Sequence, residues 1–256
     1  MAFTETHKPC PDCDSSDGLS YNDDGSSKCF VCNTFTPAPK DGVVRVLGDV
    51  SQESKKPSFS QTEHRLITSE YRTITDRLIT GTTAKRYSAL KNGDTMTFGY
   101  YAPDDPTKPV AAKVRTPDKR FSIIGDWKNA GLYGQHLFPE GGRYVTIVEG
   151  EFDALAAYQM TGSQYPVVSV RNGATSAAKD CRLFYDWINS FENVVICFDA
   201  DEPGQKAAKE CADLFGNKAK IVKHTNGYKD ACDYLVNQQP SRRLYQSILV
   251  CSTLHT

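Results

Sequence analysis

The sequence lacks the hydrophobic segments that a membrane or a secretory route requires. No run approaches the roughly 18 apolar residues that cross a bilayer, and the start MAFTETHK has neither a basic segment nor an apolar core. We therefore expect no membrane partner and a cytoplasmic location, where thiols stay reduced. With 39% hydrophobic and 24% charged residues, the composition also excludes disorder, collagen and coiled coil.

The chain has almost no net charge, since 30 Lys and Arg face 31 Asp and Glu, but the charge is unevenly distributed. Residues 1–36 carry two basic and six acidic side chains, whereas residues 63–140 carry twelve basic and nine acidic ones. A compact basic patch suited to a polyanion lies in the second region, formed by Lys113, Arg115, Lys119 and Arg120. A solvated surface hairpin would account for the same composition.

Four of the nine cysteines occur as two C-x2-C pairs. Fifteen residues separate the pairs, a spacing typical of a tetrahedral zinc site, and the ligands would be Cys10, Cys13, Cys29 and Cys32. Four thiolates close the coordination shell, so we expect one structural zinc ion. A thioredoxin-like redox role would require one motif at a strand-to-helix turn of a βαβ unit, which this region does not resemble.

The segment around the second cysteine pair contains side chains that could contact nucleic acid. Lys28 and Ser26 are the candidates, together with Tyr21 and Phe30. The acidic balance of residues 1–36 argues against broad phosphate binding, so such contacts would be local and selective. Tyr21 and Phe30 could instead pack the small core of the zinc ribbon.

Composition shifts divide the chain into four parts. They are a zinc ribbon over 1–36, a flexible Pro-, Ser- and Lys-containing linker over 37–62, a basic mixed subdomain over 63–143 and an α/β unit over 144–256. The basic subdomain is predicted to contain a helix and three strands, at 70–79, 97–101, 109–115 and 120–124.

From residue 144, short apolar strands alternate with amphipathic helices. The strands are predicted at 144–148, 167–170, 193–198 and 219–224, and the helices at 151–160, 176–191, 202–215 and 230–236. A further helix is predicted at 242–249. This repeat predicts an α/β fold with a parallel sheet flanked by helices on both faces, beside a small mixed α+β subdomain and a separate zinc ribbon.

Acidic segments follow these strands at the edge where ligands bind in parallel sheets. EGEFD (149–153) follows the first strand, DADE (199–202) follows the third, and Asp230 follows the fourth. Carboxylates gathered there would repel one another unless a divalent cation neutralised them, and oxygen ligands favour magnesium or manganese. Alternatively, Glu151, Asp153 and Glu202 serve only as favourable charges at helix N-termini.

The segments VEGEFDAL, FDADEPG and KDACDYL resemble the three acidic motifs of the Toprim domain, which occurs in primases, topoisomerases and related nucleases. The stretches AAKVRTPDKRF, GLYGQHLF and YPVVSVRNGATSAAKDC extend the resemblance over nearly the whole chain. The layout is similar to the primase half of podovirus primase-helicase proteins.

This resemblance implies a DNA primase that makes short RNA primers on single-stranded DNA from ribonucleoside triphosphates. It also implies one zinc ion, two catalytic magnesium or manganese ions, and as partners a DNA polymerase and a replicative helicase. The location would be the host cytoplasm of a phage. No GxxxxGK[ST] motif occurs, so the helicase is expected either in a C-terminal domain outside this sequence or as a separate chain.

The resemblance also assigns roles to residues. Glu149 would be the general base or a metal ligand, with Asp199 and Asp201 as the principal metal ligands. Supporting acids would be Asp153, Glu151 and Asp230. Lys113 and Lys119 would contact nucleotide or template phosphates, with Arg115 and Arg120 lining the same groove.

One departure from the family pattern concerns template reading. Ser26 stands where the family can carry a histidine in the ribbon, so the recognised sequence is expected to differ. Two rival functions share these motifs, a Toprim nuclease and a non-catalytic DNA clamp like RecR. A topoisomerase is disfavoured, because the chain has little room for strand-passage domains.

Overall fold

The computed structural model describes residues 3–13, 15–38 and 59–238, and its first unit is a small antiparallel sheet. The strands, in spatial order, are β1 (Phe3–Lys8), β2 (Leu19–Asn22), β3 (Ser27–Cys29) and β4 (Phe35–Thr36). Its buried centre consists of Cys10, Leu19 and Cys29. So few apolar side chains stabilise a fold only weakly, which is consistent with a unit held together by its cysteines. Most of the predicted linker lies outside the described residues.

The basic subdomain is a four-stranded antiparallel sheet with helices packed beside it. Its elements are α1 (Phe59–Thr68), α2 (Gly81–Arg86), β5 (Ala89–Asn92), β6 (Thr95–Ala102), β7 (Asp105–Arg115) and β8 (Phe121–Gly125). The three predicted strands are present, and β5 is an addition. Helix α1 packs on β7 and buries Leu66 beside Ala112. It begins at Phe59, inside the segment predicted as linker.

The prediction of a helix over 70–79 is wrong. Ile74 and Ile79 instead pair as an antiparallel bridge, and a short 3-10 turn, Thr75–Arg77, lies between them. Both isoleucines are almost completely buried, so burial of these two β-branched side chains in the core outweighs the local helical pattern.

The third unit confirms the predicted parallel sheet. The strands β9 (Gly142–Val148), β10 (Val167–Ser169), β11 (Phe191–Cys197) and β12 (Ala219–Ile221) lie in the order β10-β9-β11-β12. All three pairings are parallel. The connecting helices are α3 (Glu151–Met160), α4 (Ala177–Leu183), α5 (Tyr185–Asn189), α6 (Glu202–Phe215) and α7 (Ala231–Val236).

Helices cover both faces of this sheet. Ile147 packs in the cluster that contains Ala208 of α6, whereas Val148 packs in the cluster that contains Leu155 of α3. Neighbouring residues of a strand point to opposite faces, so each strand is apolar along its length because it serves two cores.

Several helix predictions can be compared with the described residues. The one predicted helix over 176–191 divides into α4 and α5, because Phe184 leaves helical geometry at φ −107° and ψ 25°. Helices α3 and α6 have the predicted bounds. The helix predicted at 242–249 lies outside the described residues. No helix in the described parts of the chain is long and apolar enough to cross a bilayer.

Candidate functional site

The acidic segments meet at one edge of the parallel sheet. Strands β9 and β11 are in register, with Cys197 opposite Val148, so Glu149 and the segment beginning at Phe198 leave the sheet side by side. The N–H of Ala200 donates to the carbonyl of Lys229 at 2.8 Å, which brings the loop before α7 to the same edge.

Glu149 has an oxygen available for a ligand. Its Oε2 atom is buried and has no hydrogen-bond partner among the described residues. Burial raises the pKa of Glu149, as do the charges of Asp201 and Asp230, while the backbone N–H groups of Ala174 and Asp199 oppose this shift. A buried carboxylate oxygen without a donor costs free energy unless a proton or a cation meets it.

Asp199 and Asp153 repel the other carboxylates of this edge. Burial, then the charges of Glu149 and Asp230, raise the pKa of Asp199 to about 7. The pKa of Asp153 is raised well above its usual value by burial and by Asp230 and Asp199. Carboxylates held this close repel one another unless a cation lies between them. Their oxygen atoms are the ligands that Mg²⁺ and Mn²⁺ prefer, so the cluster fits a site for either ion.

Asp201 and Asp230 also cap helices. Asp201 accepts the N–H of Gly204 at 2.8 Å at the start of α6, and Asp230 accepts the N–H of Asp233 at 2.7 Å at the start of α7. In each case Oδ1 makes the cap. Both residues therefore have a structural role at a helix N-terminus, and this role does not exclude metal binding through the other oxygen.

The four ribbon cysteines meet around one point, and their geometry fits zinc. Sγ of Cys10 lies 3.8 Å from Sγ of Cys32, and Sγ of Cys13 lies 3.7 Å from Sγ of Cys29. A tetrahedron with Zn–S bonds of about 2.3 Å has S–S edges of about 3.8 Å. Among the described residues, this is the single group of three or more potential metal ligands whose atoms all lie within 4.8 Å. The carboxylates of the sheet edge are spread more widely.

Elsewhere in the ribbon, the predicted contact residues differ in exposure. Ser26 is buried, and its hydroxyl donates to Asp24 at 2.6 Å. Lys28 lies with Nζ 5.4 Å from the ring centroid of Phe30. Phe30 and Tyr21 are both exposed, so the alternative that they pack the ribbon core is wrong.

Two cavities, each of about 320 Å³, lie along one face of β7. The first, which we call the acidic cavity, is lined by Lys113 together with Glu149, Asp153 and Asp199. The second, the hairpin cavity, is lined by Arg115, the next residue on that face of the strand. The basic strand thus runs directly beside the carboxylate cluster.

The four residues of the basic patch have different environments. Lys113 is buried and donates to Glu151 Oε1 at 2.6 Å. Arg115 lies 5.3 Å from the ring centroid of Phe152, and Lys119 lines the hairpin cavity. Arg120 is exposed and pairs with Asp118 in the turn after β7.

Two features of the site were not predicted from the sequence. Arg77 lies with its guanidinium carbon 4.5 Å from the ring centroid of Phe152, and its charge counteracts the raised pKa of Asp153. Asn172 lines the acidic cavity beside Lys113. Arg77 ends the 3-10 turn Thr75–Arg77 and Asn172 follows β10, so only the tertiary arrangement brings them to the site.

Comparison with known proteins identifies the class. Residues 146–235 match the model of the Toprim-like family. These residues contain the parallel sheet from within β9 to α7, with the acidic loops between them. The parallel sheet and its acidic edge therefore form a Toprim-like unit.

The chain is similar over almost its full length to the crystallised primase fragment of the bacteriophage T7 primase-helicase, with 30% identity and a TM-score of 0.63 over 96% of this chain and 100% of that fragment. It belongs to this family of phage primases. It is also similar to the T7 primase domains solved with the lagging-strand DNA polymerase, an RNA/DNA hybrid and dTTP, at 29% identity over 72% of this chain and 93% of that one, with a TM-score of 0.63.

The DNA helicase/primase of enterobacteria phage T3 is 33% identical over 211 residues, which are 81% of this chain. The chain spans 37% of the length of that relative.

Proposed function

We propose that this protein is a DNA primase that synthesises short RNA primers on single-stranded DNA from ribonucleoside triphosphates. The observation that carries the proposal is the placement of Glu149 and Asp199 in one cavity with Lys113. This combination suits a nucleoside triphosphate. The carboxylates can bind the metal ions that accompany the triphosphate, and the fixed ammonium can neutralise part of its negative charge.

The reaction forms a bond between the 3′-hydroxyl oxygen of one ribonucleotide and the α-phosphorus of the next, and it releases pyrophosphate. Bound magnesium or manganese, two ions in this proposal, would neutralise charge on the attacking and leaving oxygens. Asp199 and Asp201 hold the ions, with Asp153 and Asp230 in support. Glu149 accepts the hydroxyl proton or binds the cation through Oε2, since that oxygen has no hydrogen-bond partner in the part of the chain that the structure describes.

The cationic face of β7 binds the nucleic acid and the triphosphate. Lys113 uses two of its three N–H bonds within the protein, at Glu151 and at the carbonyl of Arg171, and we assign the third to a phosphate oxygen. Lys119 and Arg115 line the hairpin cavity next to it. Arg120 pairs with Asp118 and contacts the template only by leaving that exposed pair.

The ribbon holds one structural zinc ion and selects the template sequence. Lys28 and the exposed rings of Phe30 and Tyr21 offer a charge and stacking surfaces to unpaired bases. Ser26 can contact a base only if its hydroxyl leaves Asp24, to which it donates within the loop. The partners are a replicative helicase and a DNA polymerase, in the cytoplasm of an infected host.

The deciding experiment offers labelled ribonucleoside triphosphates and a library of short single-stranded DNA templates to the full chain, with magnesium or manganese. The products are then sized and sequenced. We expect short RNAs whose sequence depends on the template. The matched control is Asp199→Asn, which removes one carboxylate charge at almost constant volume and should yield no RNA.

Other outcomes would overturn the proposal in different ways. Shortened template without RNA would indicate a Toprim nuclease. Tight retention of DNA without any reaction would indicate a clamp. RNA synthesis that Asp199→Asn leaves intact would contradict the metal-site assignment even though the activity itself was present.

A further inference from the structure

Glu151 lies between two acids of the metal cluster in sequence, yet its carboxylate has different partners. It is buried at 6% exposure in the first turn of α3. Its Oε1 atom accepts the hydroxyl of Tyr100 at 2.7 Å and the ammonium of Lys113 at 2.6 Å. Both donors belong to the antiparallel sheet of the basic subdomain, not to the parallel sheet.

Lys113 is held from a second side. Its Nζ also donates to the carbonyl of Arg171 at 2.7 Å. Two fixed bonds define the direction of the third N–H, because the three hydrogens of an ammonium group have a fixed tetrahedral arrangement. Lys113 lines the acidic cavity together with Glu149 and Asp199, so a cavity ligand can receive that remaining N–H.

The acceptor carbonyl of Arg171 is itself fixed by a buried ion pair. The guanidinium of Arg171 donates to Asp180 Oδ1 at 2.8 and 3.0 Å, and its backbone N–H donates to Asp180 Oδ2 at 2.7 Å. A further bond reaches the carbonyl of Ala130 at 3.1 Å. These bonds fix the segment after β10 against the rest of the core. Lys113 donates to a carbonyl of that segment, so its ammonium is held in place as well.

We propose that Glu151 is a positioning residue for Lys113, which it holds with one N–H directed at a triphosphate oxygen of the incoming ribonucleotide, and that it is not a ligand of the catalytic metal. The inference rests on the proposed function. Glu151 also supplies the counter-ion that a buried ammonium such as that of Lys113 requires.

The test is a double-mutant cycle between Glu151→Gln and Lys113→Met, with two readouts. One is the KM and kcat for ATP in template-directed synthesis. The other is equilibrium binding of Mg²⁺ and ATP to the protein without template. The exposed carboxylate change Glu210→Gln on α6 is the matched control and should alter neither readout.

If Glu151 acts through Lys113, Glu151→Gln raises the KM for ATP about tenfold with a smaller change in kcat, and it has no further effect when Lys113 is already Met. The double variant should also melt at a higher temperature than Lys113→Met alone, which leaves a buried carboxylate unpaired. If Glu151 were a metal ligand, its effect would multiply that of Lys113→Met, and this result would overturn the inference.

Tyr100→Phe provides a milder variant in case Glu151→Gln does not fold. It removes one hydrogen bond to Glu151 without changing any charge, and we expect a KM increase of about two- to fivefold that is absent in the Lys113→Met background. A wild-type protein that binds ATP but makes no RNA would refute the proposed function, and the ATP-binding cycle would still decide the role of Glu151.

Discussion

Gly204 packs directly against the backbone of Asp199. A Cβ atom on Gly204 would lie 2.5 Å from the carbonyl oxygen of Asp199 and 3.0 Å from Oδ1 of Asp201. The first turn of α6 can therefore approach the acidic loop only because this position has no side chain. The contact fixes the spacing of both carboxylates relative to the helix.

The first prediction follows from this contact. Gly204→Ala should push the acidic loop away, lower the melting temperature by several degrees and reduce primer synthesis at least about tenfold, since small displacements of catalytic groups are costly. Thermal melts and synthesis rates measure both effects. Gly216→Ala at the end of α6 is the control: it adds a Cβ at φ +52° in open space, so it should cost some stability and no activity.

A second prediction separates the two roles of Asp201. Asn caps helices about as well as Asp, so Asp201→Asn should keep the melting temperature within about 2 °C and lower primer synthesis about 10²-fold or more. Asp201→Ala should additionally lose the cap, worth about 1 kcal/mol, or about 2–4 °C. Full activity in Asp201→Asn would show that Asp201 only caps the helix.

The third prediction concerns pH. Aspartate in an unfolded chain has a pKa of about 3.9, whereas the pKa of Asp199 is raised to about 7. Between these values the folded state holds a proton that the unfolded state has released, so this group lowers stability as pH rises from about 4 to about 7. Without magnesium, Asp199→Asn should melt about 2–4 °C above wild type at pH 8.

Melting curves from pH 4 to 8 in metal-depleted buffer test this prediction. The advantage of Asp199→Asn should shrink towards pH 4, where the carboxyl of the unfolded chain begins to take up its proton as well. Added magnesium should shrink the difference at pH 8 by stabilising wild type. An advantage that is the same at every pH would argue against a raised pKa.

The fourth prediction concerns zinc. Cys29→Ser should lower the zinc content from about one ion per chain towards zero, because the tetrahedral site loses one of its four thiolates. Template selectivity should fall more than the rate of dinucleotide formation on short templates. Metal analysis and product sequencing measure these quantities. Equal loss of both activities would mean that zinc also supports the reaction centre.

The fifth prediction concerns the hairpin cavity. Lys119→Ala should weaken binding to all single-stranded templates similarly, and it should reduce the slope of log affinity against log salt concentration by about 0.7, the value for one phosphate contact to a single strand. Fluorescence anisotropy over a salt series measures this. The control Lys209→Ala on α6 should leave the slope unchanged, whereas a sequence-dependent loss in Lys119→Ala would indicate base reading.

Most of the parallel unit could be predicted because its pattern is local. Helix α6 has its predicted bounds: Asp201 caps its start, and Gly216 follows Phe215 at its end. The helix prediction for the segment around Ile74 was wrong, because Ile74 and Ile79 are buried in the same core cluster as residues distant in the chain, such as Val148 and Leu155. The predicted helix over 176–191 likewise divides at Phe184 because of packing, which the local sequence pattern does not indicate.

For the site, the sequence by itself determined which residues come together, namely the four spaced cysteines and the acids that follow β9 and β11. Parallel strands must end at one edge, so these acids had to meet. Only the tertiary structure decided that Glu151 Oε1 accepts hydrogen bonds from Tyr100 and Lys113, and that Arg77 approaches Asp153. In each of these contacts the two residues belong to different sheets or segments. Whether they meet depends on how the units pack against one another, and no local stretch of sequence specifies that packing.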